Sequence, residues 1–128
     1  MSKNIVFFSD GTGNDRAQGL KTNVAKLCDR AINMRVAQGG KTWQELEGAA
    51  LDAELAKPGI DQITSYDAGV GTGMTGKISS WIHSATGSGI SQNIKDGYDF
   101  ITRFYEPGDR IFLFGFSRGA YTVRSLGA

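Results

Sequence analysis

One serine in this chain stands where a serine can act as a nucleophile. Gly115-Phe116-Ser117-Arg118-Gly119 is a G-x-S-x-G sequence, preceded by the apolar run Ile111-Phe112-Leu113-Phe114 and followed at once by a helix-compatible stretch. A strand–turn–helix of this kind lifts a serine hydroxyl out of a sheet, ready to attack a carbonyl carbon. Glycines flank it because the turn leaves no room for side chains beside the serine and strains the backbone of most residues. The competing reading is a glycine-rich turn whose serine only caps the following helix. With 18 glycines in 128 residues the five-residue pattern alone decides little. The strand before it and the helix after it carry the weight.

A serine hydroxyl is a weak nucleophile until a base removes its proton, and the oxyanion that forms needs fixed N–H donors. One donor in such a turn is the backbone N–H of the residue after the serine, here Arg118; the second comes from the loop after a neighbouring strand. Asp10-Gly11-Thr12-Gly13 suits that role, because glycines let N–H groups turn inward, and Gly11 and Thr12 are both eligible. Asp10 either orients that loop by hydrogen bonding or closes the first strand with an Asx-type turn. The base is harder to place. His83 is the single histidine, and it precedes the serine within a glycine-rich stretch, whereas in the usual hydrolase order the acid and the histidine both follow the nucleophile. Residues 118–128 contain no Asp, Glu or His. His83 therefore reads as a loop histidine, and the chain as the nucleophile-bearing half of a site.

Two other patterns carry less. Gly71-Thr-Gly-Met-Thr-Gly76 matches G-x-G-x-x-G, but it lies several residues past its strand and no second strand ending in an acid follows about 20 residues on. Asp10-Gly-Thr resembles some phosphate loops, yet the full G-x-x-x-x-G-K-[ST] sequence and a second acidic cluster for a metal are missing. No cofactor or metal is expected.

The elements that must position the serine are legible. Asn4–Ser9 is short and continuously apolar, as in a strand buried on both faces; Gln62–Asp67 is more mixed, and Arg110–Phe116 is again apolar. From Thr22, an N-cap residue, Val24, Leu27, Cys28 and Ala31 recur at helical spacing until Gly39-Gly40. Thr42-Trp43-Gln44-Glu45 reads as a capping box opening a second helix to about Ala56. Ile90, Ile94, Tyr98, Ile101 and Tyr105 set the apolar face of a third, ended by Pro107-Gly108, and a fourth follows Ser117. Strands alternating with helices imply a parallel sheet with right-handed crossovers, and functional groups collected at the carboxyl ends of its strands. Residues 69–89 read as a long glycine-rich loop, with Trp81 and Ile82 anchoring its middle.

Bulk composition bounds the rest. The chain is one domain at most, with 40% apolar and 21% charged residues, ordinary for a globular protein. A net charge of +1 with scattered Lys and Arg gives no basic stripe, so nucleic acid is not a partner. Cys28 is the sole cysteine and, on the apolar side of a helix, a buried structural thiol. Met1-Ser-Lys-Asn runs straight into a strand, leaving no room for a signal peptide, and no apolar segment reaches the ~20 residues of a membrane span. Synthesis in the cytoplasm, with export only by a signal-peptide-independent route, is the expectation.

Phe8-Ser-Asp-Gly-Thr-Gly-Asn14, Thr22-Asn-Val-Ala-Lys-Leu27, Tyr66-Asp-Ala-Gly-Val-Gly-Thr72, Asn93-Ile-Lys-Asp-Gly-Tyr98 and the segment Pro107 to Leu126 occur in the order found in a known family. Across nearly its whole length the chain resembles the α/β-hydrolase-like family that includes bacterial type VI secretion phospholipase effectors. The resemblance implies a serine lipase or esterase with Ser117 as nucleophile, acting on the acyl esters of lipids, with membrane-surface contact by the parent protein. It also implies that the strand at 4–9 lies between the other two. Family members continue past the nucleophile through strands that supply the acid and the histidine. Residues 1–128 are thus expected to be the N-terminal portion of a catalytic domain, a partial α/β-hydrolase-like three-layer fold whose C-terminal strands are absent. The alternative from another class is a non-catalytic binding or assembly module derived from a truncated hydrolase. Its unpaired sheet edges would be met by a remaining hydrolase segment or by self-association.

Overall fold

The computed structural model of the protein describes residues 2–11, 21–33, 61–68 and 88–128. Strands and helices alternate through them: β1 (Asn4–Ser9), α1 (Asn23–Asn33), β2 (Gln62–Asp67), α2 (Ser88–Phe104), β3 (Arg110–Gly115) and α3 (Arg118–Leu126). The strands form one parallel sheet in the order β2-β1-β3, with Ser9 level with Asp67 on one side and Gly115 on the other. The fold of the described residues is α/β, with β1 central and the three carboxyl ends on one edge. The second helix expected at 42–56 and residues 69–87 of the expected glycine-rich loop, with Trp81 and Ile82, lie outside the described residues, while Ser88 and Gly89, expected in that loop, open α2.

Side chains alternate along a strand, so β1 feeds two cores. Ile5 and Phe7 join Ile63 of β2 and Phe100 and Phe104 of α2, with Leu113, Val123 and Leu126 packed beside them. Val6 and Phe8 meet Val24 and Cys28 of α1 on the other face, flanked by Ala31 and Tyr66. Helices on both faces explain why β1 is continuously apolar. Full burial of side chains such as Ile5, Phe7, Phe8 and Ile63 stabilises by about 1.5–3 kcal/mol each. Cys28 is completely buried, as its position on α1 suggests.

The apolar face of α2 is rotated from its expected setting. Tyr98 (62% exposed) and Tyr105 (46%) face outward, while Gly97, Phe100 and Phe104 are the buried residues. The cause is Gly97. A Cβ there would stand 2.6 Å from Leu126 Cδ1 and 3.0 Å from Phe7 Cζ, so Gly97 marks a close approach of α2 to β1 and α3. Leu27 of α1 is likewise exposed, although its spacing placed it inward.

A turn at Glu106–Asp109 joins α2 to β3. Asp109 N–H donates to Glu106 O at 3.0 Å and Gly108 takes φ 101°, so Pro107-Gly108 fill the two central positions of a type II turn. Asp109 also pins the amino end of β1. It accepts Lys3 N–H at 2.9 Å and pairs with Lys3 Nζ at 2.5 Å. Burial pushes the Asp109 carboxyl up, but the Lys3 hydrogen bonds and charge overcome it and hold the pKa at about 2.

Candidate active site

Ser117 links β3 to α3 with φ 56° and ψ −124°, and it alone among the described non-glycine residues has a positive φ. Such a conformation costs on the order of 1–3 kcal/mol and persists only where the surroundings impose it. The side chain is exposed and makes no capping hydrogen bond to α3, so the helix-cap reading fails. Close backbone contacts impose the turn instead. A Cβ on Gly119 would run into the carbonyl oxygens of Ser9 and Asp10, the latter at 2.6 Å. One on Gly115 would overlap the Gly119 carbonyl and lie 2.7 Å from Ala120 N. Phe116 N–H donates to Ser9 O at 3.1 Å, which carries the β1–β3 ladder one residue past the strand and seats the turn on the end of β1. β3 itself ends at Gly115, one residue short of the expected Phe116, where the chain turns into Ser117.

Arg118 is the first residue of α3, at the helix end that favours negative charge. Asp10 follows β1 and is fully buried. Its carboxylate accepts the Gly11 N–H at Oδ1 (2.8 Å), the Thr22 hydroxyl at both oxygens (2.9 and 2.8 Å) and the Tyr66 hydroxyl at Oδ2 (2.6 Å). Thr22 Oγ1 accepts the Ala25 N–H in turn at 3.1 Å, which is the cap that its position before α1 predicts. The Gly11 N–H is thus committed to Asp10. Thr12 and His83 lie outside the described residues.

This arrangement has known counterparts in sequence. The family model described as "T6SS, Phospholipase effector Tle1-like, catalytic domain" matches residues 3–128. The chain belongs to this family. A relative from Saccharomyces cerevisiae (strain ATCC 204508 / S288c), "Uncharacterized protein YEL023C", is 30% identical over 129 residues, covering 97% of this chain and 17% of its own length. The chain therefore spans a small part of that relative. No solved structure matches.

In this Tle1-like domain, three of the sequence motifs converge on one carboxylate: Asp10, Thr22 and Tyr66 come from three separate segments. Sequence reasoning singled out Asp10 and gave Thr22 only a capping role. It missed Tyr66, although strand parity places Tyr66 beside Phe8 on the α1 face, at the carboxyl end of β2. It also missed Asp67, the last residue of β2. Burial pushes the Asp67 carboxyl up to about 7, a hydrogen bond from the Ser9 hydroxyl (3.3 Å) opposing and the nearby Asp96 charge reinforcing the rise. Asp67 lines a cavity of about 490 Å³ with Asp96, Asp99 and Arg103 at its polar side and Phe7, Phe100 and Phe104 beneath. Among the described residues no three His, Cys, Asp or Glu side chains gather to hold a metal ion, and no helix is long and apolar enough to cross a membrane.

Proposed function

We propose that this chain is the nucleophile-bearing part of a serine ester hydrolase of α/β-hydrolase type, acting on the acyl esters of phospholipids. The observation that carries the reading is Ser117 itself: an exposed hydroxyl on a backbone held at φ 56°, making no helix cap. A strained residue at the carboxyl end of a central parallel sheet is the expected seat of chemistry. Membership of a phospholipase effector family supports the ester substrate and release by a type VI secretion system.

In this mechanism Ser117 Oγ attacks the acyl carbonyl carbon while a base takes the hydroxyl proton. That base is a histidine supplied from sequence beyond these 128 residues, together with its acid. The carbonyl oxygen becomes an oxyanion facing the Arg118 N–H and a second N–H from the loop after β1. Gly11 donates its N–H to Asp10, so of the two candidates we assign the second donor to Thr12. Collapse of the tetrahedral intermediate breaks the ester C–O bond, the base returns the proton to the departing alcohol, and water then hydrolyses the acyl-serine by the same steps. Asp10 orients the donor loop. Turnover of phosphatidylcholine vesicles by the intact protein, lost in Ser117→Ala, tests the reading. Full turnover by the Ser117→Ala protein sinks it.

One observation favours a second reading. Ile111, Phe112, Phe114 and Phe116 are 37–49% exposed along β3 and the residue after it, an apolar strip on the outer strand of the described sheet. A non-catalytic module would use that strip to bind a partner or a second copy. A stable complex formed by the chain, with no fluorophosphonate adduct on Ser117 in any state, would favour it.

A further inference from the structure

The residues that bracket the segment between β1 and α1 are tied to one buried group. Gly11, at its start, donates its N–H to Asp10 Oδ1; Thr22, at its end, donates its hydroxyl to the same carboxylate at 2.9 and 2.8 Å. The third donor comes from a different strand: the Tyr66 hydroxyl reaches Asp10 Oδ2 at 2.6 Å. Tyr66 stands level with Phe8 in the parallel register, at the carboxyl end of β2. Asp10 is in turn joined to the nucleophile's turn, because its carbonyl and that of Ser9 form the surface against which Gly119 is seated.

From this geometry we propose that Tyr66 and Thr22 are positioning residues of the active site, acting through Asp10. Together they clasp and fix the Asp10 carboxylate and the Gly11 N–H and, through the Asp10 carbonyl, the backbone against which the Ser117 turn is seated. Neither hydroxyl touches the reacting atoms; each sets the direction of a carboxylate whose own backbone carbonyl supports the Ser117 turn. Hydrogen bonds to a carboxylate are short and strong, and a buried network holds its members in one arrangement only when all of them are satisfied. The described residues leave no buried side-chain polar atom without a partner. Removal of one hydroxyl therefore leaves Asp10 able to rotate, and the Gly11 N–H with it. Tyr66 also packs on the Val6–Phe8–Val24–Cys28 cluster, so Tyr66→Phe keeps the ring's packing while deleting the clasp contact.

This inference rests on the ester-hydrolase reading, and its test separates the two. In the intact protein, turnover of p-nitrophenyl butyrate and hydrogen exchange at the Gly11 amide are measured for Tyr66→Phe, Thr22→Val, Thr22→Ser and Ser117→Ala. An oxyanion donor is worth about 100- to 1,000-fold in kcat, so a displaced one is expected to cost about 10- to 100-fold. Tyr66→Phe and Thr22→Val are expected to lower kcat by that factor with KM within about twofold, and to speed Gly11 exchange about tenfold or more. Thr22→Ser, which keeps the hydroxyl, recovers most of the loss. Gly11 exchange unchanged in Tyr66→Phe overturns the clasp whether or not the protein hydrolyses esters. Faster exchange with kcat unchanged overturns the positioning role. Turnover persisting in Ser117→Ala instead overturns the hydrolase reading and, with it, any catalytic role for the clasp.

Discussion

Gly119→Ala is the sharpest structural test of how the Ser117 turn is held. The new Cβ would fall on the Ser9 carbonyl oxygen and lie 2.6 Å from both the Asp10 oxygen and the Ser9 carbonyl carbon. Ordinary carbon–oxygen contacts begin near about 3.2 Å, so α3 must back away from β1 by several tenths of an ångström or more. Both obstacles are backbone. Ser9 is held in place by the β1–β3 ladder and by the Phe116 N–H bond, so neither can swing aside as a side chain would. Overpacking against a yielding core costs typically 1–3 kcal/mol, and an unyielding strand end puts this substitution at about 3 kcal/mol or above. Gly108→Ala makes the control. Nothing lies within 4 Å of a Cβ there, and only φ 101° opposes it, so it should cost about 1–2 kcal/mol. Urea titrations followed by circular dichroism would read these as midpoint shifts of about 2 M and about 1 M, given a slope of about 1.5 kcal/mol/M. Equal midpoints for Gly119→Ala and the parent chain would refute the close approach on which the turn geometry depends.

Ser117→Gly should raise stability by about 1 kcal/mol while removing activity, because glycine accepts φ 56° without strain; thermal denaturation beside an ester assay would read both changes at once. Against the upward push of burial, the Lys3 hydrogen bonds and charge hold the Asp109 carboxyl at about 2, below the usual carboxylate range. Its contribution to stability is present above pH 4, on the order of 2 kcal/mol, and is lost as pH falls toward 2. Acid unfolding of Asp109→Asn should show that increment missing at neutral pH. Asp67 has the opposite sign. Its pKa is raised to about 7, so its contribution to stability is full below about pH 4 and is lost as pH rises through 7. Asp67→Asn should therefore flatten the decline in urea midpoint between pH 5.5 and pH 8, a difference on the order of 1–2 kcal/mol after allowance for partial exposure.

The central strand was legible in the sequence because burial on two faces writes a continuous apolar run, and both Asn4–Ser9 and the more mixed Gln62–Asp67 appear with the expected bounds. The Ser117 turn was legible for a different reason. Gly115 and Gly119 are required by backbone contacts with Ala120 and Ser9, and such requirements leave a short, fixed spacing. Helix facing was harder. On α2 the aromatic residues Tyr98 and Phe100 are two apart, and periodicity alone could not say which looks inward; the close approach at Gly97 decides for Phe100. The Asp10 cluster was only partly legible, since Thr22 is 12 residues and Tyr66 is 56 residues from Asp10. Contacts at such separations follow from strand order and register, which a single sequence does not state. Asp67 was missed on similar grounds: its raised pKa depends on burial and on Asp96 of another element.

The central claim is that Ser117 is an activated nucleophile. Incubation of the intact protein with a fluorophosphonate probe, followed by proteolysis and mass spectrometry, tests it most directly. A single phosphonylated peptide bearing the adduct on Ser117, absent after Ser117→Ala or unfolding, is the predicted result. A folded protein that carries no adduct there, or carries it on another serine, would contradict the account.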